Sequence, residues 1–354
     1  MVNVGGVGVS GYAGGELVRL LSGHPEAKIT YVVSGSNAGQ PLRRAFPGLA
    51  GTKAGDLVCE SYDATRAAEA ADVLFLAQES GAAMRTVPEL LEKNKRVIDL
   101  SADFRISDAA EYERWYKIEH QSAHLLQEAV YGLPELGVRE RLRGARLVAN
   151  PGCYPTATLL ALAPLLTKGV IEPAGIVVDA KSGVSGAGRS KFGLDYHFAE
   201  ANEALKPYNI GGAHRHVPEI EQALSRAAAP ARVTITFSPH LVPMTRGLLA
   251  TCYARLTDGA TTTEQVLDTL RAAYADTAPF VVMREAGDYP STKHVQGSNY
   301  CHIGARADSR TGTVTVVSVI DNLVKGAAGQ AVQNLNGMLG LPETLGLEAA
   351  PLWP

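Results

Sequence analysis

The sequence predicts an α/β fold, with a first half built on a parallel sheet and a second half of mixed α+β character. Three observations carry that reading. Short β-branched runs alternate with helical patterns from the N-terminus onward, an order that gives a parallel sheet covered on both faces. A glycine-rich loop lies between the first of these runs and the first helical pattern. Beyond residue 150 the strands lengthen and the helices become fewer, as in an α+β domain.

In order, Val2 to Val9 reads as a strand, Gly14 to Leu21 as a helix and Ile29 to Val33 as a second strand. Asp72 to Ala77 and Arg96 to Leu100 follow as buried strands around a helical segment from Ala82 to Glu92. In the second half Ile176 to Ala180, Val233 to Phe237, Leu248 to Leu256 and Thr313 to Val319 read as strands. Helices are expected over Glu219 to Arg226 and Thr263 to Tyr274. A last helical stretch, Leu323 to Leu339, follows Asp321-Asn322 and can return to the first domain. The expected domains are therefore residues 1–149 plus 321–354, and residues 150–320.

At 46% hydrophobic and 19% charged residues, the composition is that of an ordinary globular protein. A net charge of -3 provides no basic field for nucleic acid, and no apolar run is long enough to span a membrane. The N-terminus lacks the charged and apolar regions of a secretory signal. Cys59, Cys153, Cys252 and Cys301 lie far apart without CxxC spacing. That argues against a metal site or a disulfide framework and for a cytoplasmic protein.

Gly6-Val7-Gly8-Val9-Ser10-Gly11 fits GxGxxG, and Gly8, Gly11 and Gly14 form an overlapping spaced variant. Such glycines make either a plain tight turn or a place where backbone meets a pyrophosphate at a helix N-terminus. The position after the first strand, with strand and helix alternating behind it, favours a Rossmann-type dinucleotide site. The second strand runs into Val33-Ser34-Gly35-Ser36-Asn37, not into Asp or Glu. An acidic residue there would bind the ribose 2′-hydroxyl and repel a 2′-phosphate, whereas Ser34 and Ser36 can donate to that phosphate. NADP is expected over NAD.

Asn150-Pro151-Gly152-Cys153-Tyr154-Pro155-Thr156-Ala157-Thr158 leads into a long apolar stretch. Pro151 and Gly152 end what precedes, and Thr156 and Thr158 favour a helix start, so Cys153 is expected at or just before a helix N-terminus. The macrodipole there favours a thiolate, the nucleophilic form of cysteine. A buried cysteine packing as a small hydrophobe fits the same stretch.

Gly211 to Ile220 gathers His214, Arg215 and His216 into a turn before a helix. Histidine, with an ordinary pKa of about 6.5, suits proton transfer, although either ring alone also fits a surface or core role. Ser101 to Arg105 and Ser182 to Arg189 each follow a strand and combine hydroxyls, backbone N–H groups and an arginine. Arginine grips phosphate or carboxylate through paired hydrogen bonds; a solvated turn fits each segment too. A nicotinamide cofactor with a candidate thiolate points to aldehyde chemistry, in which an acyl phosphate becomes a thioester and hydride reduces it.

Motifs spread nearly end to end resemble the N-acetyl-gamma-glutamyl-phosphate reductase family. They are Gly8 to Gly14, Ser101 to Arg105, Asn150 to Thr156, Ser182 to Arg189, His214 to Glu219, Pro239 to Gly247 and Ile320 to Gly326. The resemblance implies a Rossmann NADP-binding domain completed by the C-terminal helix, plus an α+β catalytic domain of the aspartate-semialdehyde dehydrogenase type. It implies Cys153 as nucleophile and His216 as acid/base, with Arg105, Asn150, Ser182, Gly183, His214 and Glu219 in the substrate region. It places NADP on Gly8, Ser10, Gly11, Tyr12, Ala13, Ser34, Gly35 and Ser36, with Asn322 near the nicotinamide. The implied reaction is NADPH-dependent reduction of N-acetyl-gamma-glutamyl phosphate to N-acetylglutamate 5-semialdehyde in arginine biosynthesis, by a homo-oligomer, usually a tetramer. The chain departs from the family where members often carry Pro-His-Gly, having Gln78-Glu79-Ser80-Gly81 instead, and in lacking an arginine near Ser36.

Other readings compete. The related lysine-synthesis reductase acting on carrier-protein-linked aminoadipyl phosphate usually lacks Asn-Pro before Gly-Cys and the Pro-Met-x-Arg-Gly run, present here as Asn150-Pro151 and Pro243 to Gly247. Aspartate-semialdehyde dehydrogenase itself is disfavoured by the His214 to Glu219 segment. A non-catalytic NADP-binding thiol redox sensor needs neither His216 nor anion-gripping loops. A Cys-His hydrolase leaves the glycine loop without a purpose.

Overall fold

The computed structural model describes residues 1–190 and 193–353. The chain forms two compact units. One comprises Met1–Pro151, Gly188–Ser190 and Ala327–Glu348; the other takes Gly152–Ala187, the chain onward to Gly326 and the C-terminal residues from Ala349.

The first unit is built on β1 (Val2–Val7), β2 (Ala27–Val33), β3 (Val73–Leu76), β4 (Arg96–Asp99), β5 (Val130–Tyr131) and β6 (Leu147–Ala149). They form a 6-stranded sheet in the order β2-β1-β3-β4-β6-β5, parallel throughout. Strands buried on both faces read as continuous apolar runs, and Val73–Leu76 is buried at every position. The chain leaves β1 to one side for β2 and returns on the other for β3, which puts a topological switch point at the carboxyl end of β1. The helices of this part are α1 (Tyr12–Ser22), α2 (Ala64–Ala70), α3 (Ala83–Glu92), α4 (Ala109–Tyr116) and α5 (Arg139–Leu142). Asp63 caps α2 by accepting the Arg66 amide, and Asp108 caps α4 by accepting that of Ala110.

The second unit contains β7 (Ile176–Gly183), β8 (Lys206–Pro207), β9 (Ile235–Val242), β10 (Leu248–Arg255), β11 (Val281–Met283), β12 (Cys301–Asp308) and β13 (Thr313–Ile320). They make a mixed 7-stranded sheet in the order β11-β12-β13-β10-β7-β9-β8. Its helices are α6 (Cys153–Thr167), α7 (Phe198–Ala201), α8 (Val217–Ala227) and α9 (Thr263–Tyr274). Apolar residues surround α6 on every side because it is internal, packed on β10 and β13 and flanked by α8 and α9. A last helix, α10 (Gly329–Leu339), belongs to the first unit.

Most expected elements shift by a few residues at one or both ends, and for two of them the structure shows the cause. The strand expected from Val233 begins at Ile235, because the buried Val233 instead gives its amide to Ser225 Oγ of α8 at 2.9 Å. The helix expected from Leu323 opens as a π-helical turn, Val324–Ala328, ahead of α10. There the carboxylate of Asp321 accepts the amides of Leu323 and Val324, and Gly326 donates to the Asp321 carbonyl at 3.0 Å.

Candidate active site

β1 ends at Val7 and the chain turns at Gly8, whose φ of +83° suits glycine alone. A Cβ on Gly8 would stand 2.4 Å from the Ala77 carbonyl oxygen, and one on Gly14 2.6 Å from the Cα of Val9. Gly11 is the N-cap of α1, with no side-chain cap and no acidic residue in the first turn. The amides at that helix start face no competing carboxylate of their own turn, so the loop fits the pyrophosphate of a dinucleotide. Beyond β2, Asn37 Nδ2 donates to Ser34 Oγ at 2.9 Å and to Ser36 Oγ at 3.0 Å. Each serine oxygen accepts, which leaves its O–H to donate.

Gly152, in extended backbone, caps α6, and Cys153 is the first helical residue. Its thiol is free of any disulfide and half-buried. The Gly152 amide donates to Glu219 Oε1 at 2.9 Å. Against the other side lies the π-helical turn: a Cβ on Gly326 would be 2.7 Å from the Cβ of Cys153.

His216 is the N-cap of α8. Its backbone N–H donates to His214 Nδ1 at 3.1 Å, so the proton of the neutral His214 ring sits on Nε2. Burial, and then Arg215, hold His214 down to about 4. The two imidazole centroids are 4.9 Å apart, and the Tyr154 ring stands edge-on to both, at 5.5 and 5.9 Å. Phe237 lies 5.2 Å from the rings of Tyr154 and His214 alike. The Tyr154 hydroxyl meets that of Tyr208 at 3.0 Å, and the Tyr208 ring packs on His214 at 5.5 Å. Burial above all pushes both phenols well above their ordinary range, so both remain protonated at neutral pH. The structure thus gathers Cys153, His214 and His216 around two tyrosines. Tyr208 and Phe237 escape a motif-based reading; the one hint of Tyr208 is an aromatic residue shortly before Gly211-Gly212.

At the end of β7, Ser182 is buried and hydrogen-bonds to Tyr154. A Cβ on Gly183 would be 2.7 Å from the Met244 carbonyl, which ties this turn to the Pro239–Gly247 motif. Asn322 accepts the Gly247 amide at 2.8 Å and donates to Ser185 Oγ at 3.0 Å, so its carboxamide braces the starts and ends of strands. In the first unit, the buried Arg105 donates from Nε to the Asn150 carbonyl at 2.7 Å and from Nη2 to the Leu100 carbonyl at 2.6 Å. Asn150 in turn donates to Ala327 O at 3.1 Å and accepts from Asn334 at 2.9 Å. Asp103 anchors the same loop by accepting the amides of Gly81 and Met84 and the Tyr112 hydroxyl.

Residues 3–145 match the model of the semialdehyde dehydrogenase NAD binding domain, and residues 153–322 that of the semialdehyde dehydrogenase dimerisation domain. Over all 354 residues the chain is 54% identical to an N-acetyl-gamma-glutamyl-phosphate reductase of Geobacter sulfurreducens, covering 100% of both. It is likewise 54% identical to one from Symbiobacterium thermophilum, covering 100% of this chain and 99% of the other. The chain belongs to the N-acetyl-gamma-glutamyl-phosphate reductase family. This N-acetyl-gamma-glutamyl-phosphate reductase family member shares its fold with aspartate semialdehyde dehydrogenase II of Vibrio cholerae, solved in complex with ASA, at a TM-score of 0.72 and 17% identity. That match covers 95% of this chain and 98% of the other. The aspartate semialdehyde dehydrogenase of Candida albicans, solved with NADP, matches at a TM-score of 0.69 and 18% identity, again over 95% and 98% of the two chains. Among the described residues of the reductase no helix is long and apolar enough to cross a membrane.

Proposed function

We propose that the chain reduces N-acetyl-gamma-glutamyl phosphate to N-acetylglutamate 5-semialdehyde and phosphate with NADPH, in arginine biosynthesis, through a thioester on Cys153. The observation that carries this is the grouping of a half-buried cysteine at the first residue of α6 with the His214–His216 pair. Full-length identity to reductases of that name supports the substrate. A carrier-linked aminoadipyl substrate or a purely sensory thiol has no comparable support.

Cys153 Sγ, its proton passed to His216, attacks the acyl carbon; the C–S bond forms, the C–O bond to phosphorus breaks, and phosphate leaves. Ser182 and His214 hold the substrate beside Cys153, while Gly183 and Glu219 keep the turns around it in shape. Bound NADPH supplies the hydride that reduces the thioester carbonyl. The thiohemiacetal oxygen re-forms its C=O bond as the C–S bond breaks, the aldehyde departs, and His216 returns its proton to Cys153 Sγ. Gly8, Ser10, Gly11, Tyr12 and Ala13 would hold the dinucleotide, and Ser34, Gly35 and Ser36 would favour NADP over NAD because no acidic residue repels a 2′-phosphate. The unit with the glycine loop serves the cofactor; the unit with Cys153 serves chemistry and assembly into a cytoplasmic homo-oligomer.

The test is phosphate-dependent reduction of NADP by N-acetylglutamate semialdehyde. Cys153→Ser abolishes it, and His216→Asn lowers kcat by about 10²–10⁴-fold. Normal turnover by Cys153→Ser overturns the thioester route.

A further inference from the structure

Residues 188–190 belong to the first unit, where they touch three of its loops. Arg189 Nη1 donates to the carbonyls of Ser10 at 3.1 Å and Ala45 at 3.0 Å. Its guanidinium lies over the Phe46 ring, 4.9 Å from the centroid. Phe46 is itself fixed by the glycine loop's helix, since a Cβ on Gly15 would stand 2.5 Å from that ring. The next residue, Ser190, donates its hydroxyl to Glu79 Oε1 at 3.3 Å. Ser10 follows β1, Ala45 and Phe46 follow β2, and Glu79 follows β3. These are three neighbouring strands, and ligands of a parallel sheet bind beyond such carboxyl ends.

Nη1 has only two hydrogens, and both are used. The Nε–Nη2 edge of the guanidinium has no partner among the described residues. That edge is a planar pair of donors spaced for two oxygens of one phosphate group, and it is held in orientation by two carbonyls and a ring. The chain also lacks an arginine near Ser36.

We propose that Arg189 is a cofactor-binding residue whose Nε–Nη2 edge takes a phosphate group of the nicotinamide dinucleotide, not the phosphate that leaves the substrate. The inference rests on the nicotinamide reading above. The group is either the 2′-phosphate or the pyrophosphate, which share this chemistry.

Binding of NADPH and of NADH to the full chain, without substrate, is followed by nicotinamide fluorescence for wild type, Arg189→Ala and Arg189→Lys. The alanine variant is expected to raise the NADPH Kd by about tenfold or more, and the lysine variant, which keeps the charge without the fork, by less. Loss confined to NADPH identifies the 2′-phosphate, and equal loss with NADH the pyrophosphate; either supports the proposal. Arg189→Ala also loses the contacts to Ser10, Ala45 and Phe46, so apo thermal unfolding is read beside the Kd, and the expected result is a loss of NADPH affinity without a matching fall in unfolding temperature. An unchanged NADPH Kd in Arg189→Ala overturns the proposal, as does a raised KM for inorganic phosphate alone. Failure of the wild type to bind either nucleotide would instead remove the nicotinamide reading, and this proposal with it.

Discussion

The buried carboxylate of Glu219 accepts the amide proton of Gly152 at 2.9 Å, which fastens the first turn of α8 to the residue preceding Cys153. A carboxylate at this place both satisfies an amide at the start of α6 and sits at the positive end of its dipole. Glu219→Ala strands that N–H in a buried setting, at a cost of about 1–3 kcal/mol. Glu219→Gln retains an oxygen acceptor and should recover most of the loss. Urea unfolding measures the stability, and the iodoacetamide alkylation rate of Cys153 reports the displaced loop. An alanine variant as stable as wild type would show that the contact does not hold the nucleophile turn.

Gly326 meets the same cysteine from the other side. Its missing side chain lets the π-helical turn lie against Cys153, where an added Cβ would come within 2.7 Å of another Cβ and 3.3 Å of a backbone Cα. Neither neighbour is the mobile end of a flexible chain, so Gly326→Ala forces a backbone shift costing about 1–3 kcal/mol. The variant should fold, lose turnover and alkylate at an altered rate. Gly48→Ala is the control: nothing lies within 4 Å of its added Cβ, and stability should stay within about 0.5 kcal/mol.

These two contacts mark where sequence stops being informative. The start of α6 is legible because its signal is local: Pro151 and Gly152 break the preceding chain directly before Cys153, whereas Thr156 and Thr158 lie inside the helix and do not cap it. The start of α9 is legible for the same reason, since Thr262 at its N-cap and Gln265 in its first turn form a capping box. β6, with 3 residues, is too short to carry a period, and α2 is too rich in alanine to show an apolar face. Gly326 and Tyr208 are meaningful only through partners distant in sequence, and no spacing rule reaches them. Asn322 and Glu219 are conspicuous within motifs, yet their hydrogen bonds run to backbone amides, a positioning task that residue type alone does not reveal.

Acid should weaken the fold in part through His214. Burial, and then Arg215, lower its pKa from 6.5 to about 4 in the folded chain. Between those values the unfolded chain binds the extra proton, so this contribution is complete above pH 6.5 and is lost as pH falls through about 4. Asp99 acts with the opposite sign: burial, and then Asp103, raise it from 3.8 to about 7, so its contribution is present below 3.8 and lost as pH rises through about 7. His302, also lowered to about 4, follows His214. Subtracting His214→Asn from wild type cancels the other two groups. The stability difference, read from urea midpoints, should shift against wild type on going from about pH 7.5 to about pH 5. A difference constant with pH would rule out a neutral, buried His214.

Gly8 and Gly35 separate two reasons for glycine in a cofactor loop. Gly8 has a φ of +83°, and an added Cβ would strike the Ala77 carbonyl at 2.4 Å, so Gly8→Ala distorts the loop before any ligand arrives. The left-handed backbone alone costs a side-chain-bearing residue about 1–2 kcal/mol. Both apo stability and NADPH affinity should fall, the latter by about tenfold or more. Gly35 has nothing within 4 Å of its added Cβ and no left-handed backbone. Gly35→Ala should therefore leave the apo protein unchanged in thermal unfolding and, on the proposed cofactor contacts, still weaken NADPH, because the methyl group would enter the space assigned to the ligand. Unaltered NADPH binding by Gly35→Ala would remove Gly35 from the cofactor contacts while leaving Gly8 in its structural role.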